Sequence, residues 1–234
     1  MADFGSALRT AIELVLTLDS DLVEIVSLSL QISLGAVLIA TVIALPLGAA
    51  VALLRFPGKR AVTILLNAAM GLPPVVVGLV VYLLLSRAGP LGSYGLLFTP
   101  TAMVIAQCVL VTPIIAALAR QTIADLHEEY DEYLRSVGAG PLQSIGPLLR
   151  DGRYRLLTAF LARFGRAIAE VGAVLIVGGN INHVTRVMTT TIALETSKGN
   201  LALALGLGLV LIALAAAVNA TAMVVGEAAA KRHG

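Results

Sequence analysis

The chain has 234 residues, 58% of them hydrophobic and 13% charged, with a mean hydropathy of +0.94 and a formal net charge of +2. A soluble domain carries about 25% charged residues. Half that share places the chain among membrane proteins, and so small a net charge does not point to nucleic acid. The single cysteine, Cys108, excludes an intrachain disulfide and suggests no metal site.

In the first twenty residues, Phe4, Leu8, Ile12 and Val15 recur at helical spacing with Arg9 and Glu13 between them. This predicts an amphipathic N-terminal segment, 1–20, lying in the outer membrane interface. It lacks the basic start of a cleavable signal peptide. A membrane-crossing helix needs about 20 apolar residues. Ile25 to Leu54 and Ala61 to Ser86 contain no charge. The charge-free run Ala88 to Ala119 opens on a Gly- and Pro-rich loop, so its helix is predicted over Thr99 to Ala119. Leu156 to Gly179 is of spanning length but carries charge, and Gly199 to Gly226 is again charge-free. The reading is an all-α polytopic membrane protein of about five transmembrane helices, forming a single domain over 1–234. Pro46, Pro73, Pro74 and Pro113 fall inside spans and predict bends, sharpest at "GLPPVVVG".

Lys and Arg set the orientation. Arg55, Lys59 and Arg60 lie in one link. Arg120, Arg135, Arg150, Arg153 and Arg155 lie in another, and Lys231 and Arg232 at the end. With five spans these fall on one side, against Arg9, Arg87, Arg186 and Lys198 on the other. The expectation is an outside N-terminus and a cytoplasmic C-terminus.

The link 120–155 is far longer than a helix connection needs. It carries two amphipathic pieces, Ala124 to Val137 and Pro141 to Leu149, separated by "GAG". Acids cluster first and arginines follow. Leu142, Ile145, Leu148 and Leu149 call for cover, which predicts a knob docked on a partner. No G-x-x-x-x-G-K-[ST] occurs, so the chain has no nucleotide loop of that type. The histidines His127, His183 and His233 are isolated, and no cluster has catalytic or metal spacing.

The segment "DEYLRSVGAGPLQSIGPLL" resembles the cytoplasmic EAA loop of permease subunits from ATP-binding-cassette importers. Glu132 and Gly138, six apart, match the pattern. Tyr133 and Leu134 stand where the family has small residues, and Arg150 follows Leu149 where a Leu-Pro is usual. "GLPPVVVGLVVYLLL" and "FGRAIAEVGAVLIVGGNI" are similar to the second and fourth spans of molybdate-type permeases. "TRVMTTTIALETSKGN" is similar to the tungstate branch. The resemblance implies a transport subunit rather than an enzyme. Its ATPase-coupling loop would use Glu132, Arg135, Gly138, Ala139, Gly140 and Leu142. Expected partners are a second copy of the chain, ATPase subunits, an extracytoplasmic oxyanion-binding protein and membrane lipid. ATP and magnesium belong to the ATPase, and no cofactor is expected on this chain. The implied location is the cytoplasmic (inner) membrane of a bacterium or archaeon, and the implied cargo is tungstate, with molybdate or sulfate as alternatives. A transporter driven by an ion gradient is the rival class. It would favour repeated halves and several intramembrane carboxylates, whereas Glu170 is the one carboxylate well inside a span.

Arg166 and Glu170 sit four apart, so on one continuous helix they would share a face and pair. An arginine at mid-membrane costs about 2.5–3.5 kcal/mol on insertion scales, which favours a face turned to protein or water. Arg163, Arg166, Glu170, Pro73 and Pro74 are therefore the pathway or gate candidates. Beyond this span, Asn180, Asn182, Thr185 and Arg186 supply amide, hydroxyl and guanidinium donors. They are candidates for brief contact with a tetrahedral anion at the outer mouth.

Overall fold

The computed structural model describes residues 4–233, with side chains from Gly5 to Glu227. Met1 to Asp3 of the N-terminal segment, and the side chains of Lys231 and Arg232 used for orientation, lie outside the described residues. Among the described residues eleven α-helices follow in chain order: α1 (Phe4–Leu16), α2 (Ser20–Leu53), α3 (Lys59–Ala69), α4 (Pro74–Leu85), α5 (Pro100–Glu129), α6 (Asp131–Ser136), α7 (Pro141–Asp151), α8 (Arg153–Ile168), α9 (Gly172–Gly178), α10 (Met188–Lys198) and α11 (Leu201–His233). Among the described residues there is no strand.

Among the described residues three helices are long and apolar enough to cross a membrane: Ser20–Leu53, Pro100–Glu129 and Leu201–Glu227. The predicted span Ala61 to Ser86 is two helices, α3 and α4, bent by 106°. The cause is local. A residue preceding proline is steered out of the α region. Leu72 precedes Pro73, and Pro73 precedes Pro74 with an extended backbone at ψ 126°. Pro74 then starts α4, where its missing N–H is no loss. Pro46 and Pro113, by contrast, are each accommodated inside a helix that continues past them.

The charged stretch Leu156 to Gly179 is also divided. α8 ends at Ile168 and α9 begins at Gly172. At 16 residues α8 is about 24 Å long, short of a hydrocarbon core of about 30 Å.

Two compact units emerge, each drawn from separated parts of the chain. The first comprises 1–36, 73–107 and 165–218. In it α4 lies directly on α9. A Cβ at Gly78 would sit 2.8 Å from Ala173 Cα, and one at Gly172 would sit 2.8 Å from Val75 Cγ2. Small residues permit that approach. α1 buries its small residues Ala7 and Ala11, with Ala11 beside Gly206 of α11, and leaves Ile12 and Leu16 exposed. The second unit comprises 37–72, 108–164 and 219–234. There α2 meets α5 at Gly48, where an added Cβ would lie 2.5 Å from Ala116 O. Lys59 Nζ donates to Ala52 O (2.7 Å) and Leu54 O (3.2 Å), satisfying carbonyls at the end of α2.

Candidate functional site

The link 120–155 begins as a continuation of the third span. No Gly or Pro interrupts Pro113 to Glu129, so α5 runs unbroken to Glu129. α6 follows, and Gly138 then takes a left-handed backbone at φ +68°. Ala139 N–H reaches back to Leu134 O (3.0 Å) and Gly138 N–H to Arg135 O (3.1 Å). These bonds close the end of α6 in the manner of a glycine cap. Gly140 is extended and its N–H donates to Gln143 Oε1 (2.9 Å), which starts α7.

This element has its own core. Leu134 and Leu148 are buried with Ala49, Leu53, Ile123 and Leu126, and Ile145 and Leu149 pack against them. Of the four apolar residues predicted to need cover, Leu142 alone remains out, 70% exposed. Glu132 and Gly138 are exposed, and Ala139 and Gly140 half-buried. Arg135 is exposed and pairs with Asp131 within α6 at 2.8 Å. The six candidates thus lie on one turn-linked pair of short helices.

Sequence reasoning missed the strut across this element. Tyr130 Oη donates to Asp151 Oδ2 at 3.1 Å and links the end of α5 to the end of α7. That hydrogen bond pushes the Tyr130 phenol above its ordinary value, with the Asp151 charge adding to it, and so keeps it a donor. The two residues are 21 apart, and no local pattern marks the pair.

The expected pairing of Arg166 with Glu170 does not form. Their i, i+4 spacing assumed one helix, and α8 ends between them at Ile168. Glu170 Oε1 instead accepts from Gly172 N–H (2.8 Å), and Glu170 O accepts from Thr189 Oγ1 (2.9 Å). The carboxylate is thus turned onto the break. Arg166 is exposed, and Arg163 is half-buried with Nε lacking a hydrogen-bond partner. Just before the break, Gln107 of α5 donates Nε2 to Ala167 O (3.1 Å). Gln107 is 3% exposed and its Oε1 has no partner. A lone amide inside the predicted span Thr99 to Ala119 was the available signal. Pro73 caps α4 and Pro74 is its first residue, both at the bend.

Beyond α9 two of the four expected donors, Asn180 and Thr185, are spent internally. Thr185 is fully buried, donates to Gly178 O (2.6 Å) and accepts from Ile181 N–H (2.9 Å). Asn180 donates to Thr190 O (3.3 Å), and Thr190 Oγ1 donates to Asn180 Oδ1 (2.9 Å). Thr191 Oγ1 binds Val187 O (2.7 Å). This correction has a simple cause. Thr185 closes its own turn, with its N–H on Ile181 O (3.0 Å), and a short polar side chain beside backbone groups bonds to them first. Asn182 stays exposed. Arg186 is half-buried, with Nε lacking a hydrogen-bond partner. Nearby, buried Glu195 receives Lys198 Nζ (3.0 Å) and Asn200 Nδ2 (3.0 Å), closing the turn from α10 to α11. The Lys198 hydrogen bond holds the Glu195 carboxyl below its usual range.

Residues 43–232 match the family described as the binding-protein-dependent transport system inner membrane component. The chain belongs to that family. A probable anion ABC transporter permease protein of Haloferax volcanii is 42% identical over 185 residues, 77% of this chain and 80% of that protein. A tungstate uptake system permease protein of Peptoclostridium acidaminophilum is 41% identical over 220 residues, 94% of this chain and 96% of that one. Another of the same name, from Campylobacter jejuni, is 38% identical over 148 residues, 63% and 62% of the two chains. The family's other members here are named as permeases, transport components rather than enzymes. The chain is a multi-pass membrane permease of a binding-protein-dependent system.

Proposed function

We propose that this chain, acting as one permease domain, forms the transmembrane pathway of an importer for tungstate. The observation that carries the reading is the 41% identity to a tungstate uptake permease across nearly the full length of both chains. Two copies form the path. ATPase subunits, which hold ATP and magnesium, dock on the loop 120–155 through Glu132, Arg135, Gly138, Ala139, Gly140 and Leu142. This chain binds no cofactor. A separate binding protein delivers the anion outside, where the N-terminus lies, and the C-terminus is cytoplasmic.

Along the path, Arg163 and Arg166 on α8 offer the anion cationic contacts. The half-buried Arg163 Nε without a partner and the exposed Arg166 support that role. Glu170 and Pro73–Pro74 mark the two broken helices and act as the gate. At the outer mouth the role narrows to Asn182 and Arg186, because Asn180 and Thr185 are engaged in the fold.

The test is reconstitution in lipid vesicles with the cognate ATPase and binding protein. ATP-dependent uptake of tungstate, blocked by a hydrolysis-deficient ATPase, is the expected result. Uptake driven by an ion gradient without ATP refutes it. Preference for molybdate or sulfate would keep the importer and change the cargo.

A further inference from the structure

The ATPase-docking element carries a groove of its own, of about 490 Å³, lined by Tyr130, Tyr133, Leu134, Pro147, Leu148 and Asp151. Leu134 and Leu148 of this lining belong to the element's core. Tyr133 forms a wall that is 65% exposed. The lining holds one hydrogen-bonded polar pair, Tyr130 Oη to Asp151 Oδ2, which satisfies the phenol without a partner. What the groove leaves uncovered is therefore apolar surface. Two aromatic rings, a proline and two leucines suit a flat or long apolar side chain.

We infer that this groove is a socket for an apolar side chain, aromatic or long aliphatic, projecting from the ATPase subunit. This deepens, and rests on, the reading of 120–155 as the docking element. The occupant is assigned to the ATPase because the groove is continuous with the docking turn. Tyr133 and Leu134 fall between Glu132 and Gly138, and Leu148 and Asp151 are on the helix that Gly140 starts. The exposed turn with Leu142 reads as a knob that enters a partner. Here the same knob also receives one. A buried apolar anchor of this kind dominates binding when surrounding contacts exclude water. Being uncharged, it should hold at high salt, where the surrounding acidic and arginine contacts are screened.

The test uses the assembled permease–ATPase complex. A photoreactive phenylalanine analogue replaces Tyr133, which is exposed enough not to threaten folding. Irradiation should give an adduct with the ATPase. An adduct with a second permease copy or with lipid, or none at all, overturns the inference. In parallel, Tyr133→Ser should cut ATPase retention at 1 M salt at least tenfold, and Tyr133→Phe should restore it. Unchanged retention in Tyr133→Ser overturns the socket. Leu142→Asp, on the exposed turn, separates the two claims. If it strips the ATPase while Tyr133→Ser does not, the docking element stands and the socket falls. If neither does, the docking reading itself fails.

Discussion

Gly48 gives the sharpest test of the packing. In the second unit it lets α2 approach α5 so closely that an added methyl would lie 2.5 Å from Ala116 O, 2.7 Å from Ala119 Cβ and 2.9 Å from Arg120 N. Two of those atoms are backbone, so no side chain can swing away. Restoring an ordinary contact of about 3.4 Å means parting the helices by about 0.9 Å. Overpacking of this size costs about 1–3 kcal/mol. In a chain of this length each kcal/mol lowers Tm by about 2–4 °C. The chain supplies its own reporter. Cys108, its single cysteine, is half-buried on α5, and thiol labelling during heating reads unfolding there. Gly35→Ala is the control on the same helix, because a Cβ there meets nothing within 4 Å. Gly48→Ala should unfold several degrees below wild type, and Gly35→Ala at or above it. If Gly48→Ala is as stable as wild type, the close approach of α2 and α5 is wrong.

Gly138→Ala meets no neighbour, so its penalty is the left-handed backbone alone, about 1–2 kcal/mol. It should lower tungstate transported per ATP hydrolysed in the reconstituted system while leaving the spans inserted. Normal stoichiometry would argue against the turn's role in coupling. Gln107→Met should stay within about 1 kcal/mol of wild type, because it removes an unsatisfied buried oxygen and Ala167 O keeps the Glu170 N–H (3.2 Å). A larger loss, by the Cys108 labelling assay, would show that the amide has a partner in the working transporter. Thr189→Val should cost about 1 kcal/mol through the lost bond to Glu170 O. Glu195 has a depressed carboxyl pKa in the folded chain, so its contribution is complete above the ordinary carboxyl range and is lost as pH falls through the folded value. Glu195→Gln should therefore flatten the acid limb of Tm against pH. An unchanged acid limb would contradict the Lys198 pairing.

Of the five predicted spans, the three on α2, α5 and α11 were readable because hydropathy over twenty residues reports burial in lipid directly. The glycine turn at Gly138 was readable for a similar reason, since a left-handed residue ending a short helix has few sequence solutions. What sequence could not supply was set by long-range contact or by broken periodicity. The i, i+4 argument for Arg166 and Glu170 failed because it presumed a helix through Ala169. Nothing local reveals that Glu170 turns instead to Gly172 and is held by Thr189, nineteen residues on. Asn180 and Thr185 looked like donors for an anion, yet a short polar side chain beside nearby backbone groups bonds to them first. Conversely, the apolar face of the link 120–155 was read correctly as needing cover, but most of that cover comes from Ala49, Leu53, Ile123 and Leu126 of this same chain.

The most direct test of the central claim is elemental. Cells with and without this gene are given trace tungstate, molybdate and sulfate together, and cell-associated tungsten, molybdenum and sulfur are measured by mass spectrometry. The account predicts that tungsten falls on deletion, that molybdenum and sulfur hold, and that the wild-type gene restores it. Unchanged tungsten in the deleted strain would contradict it.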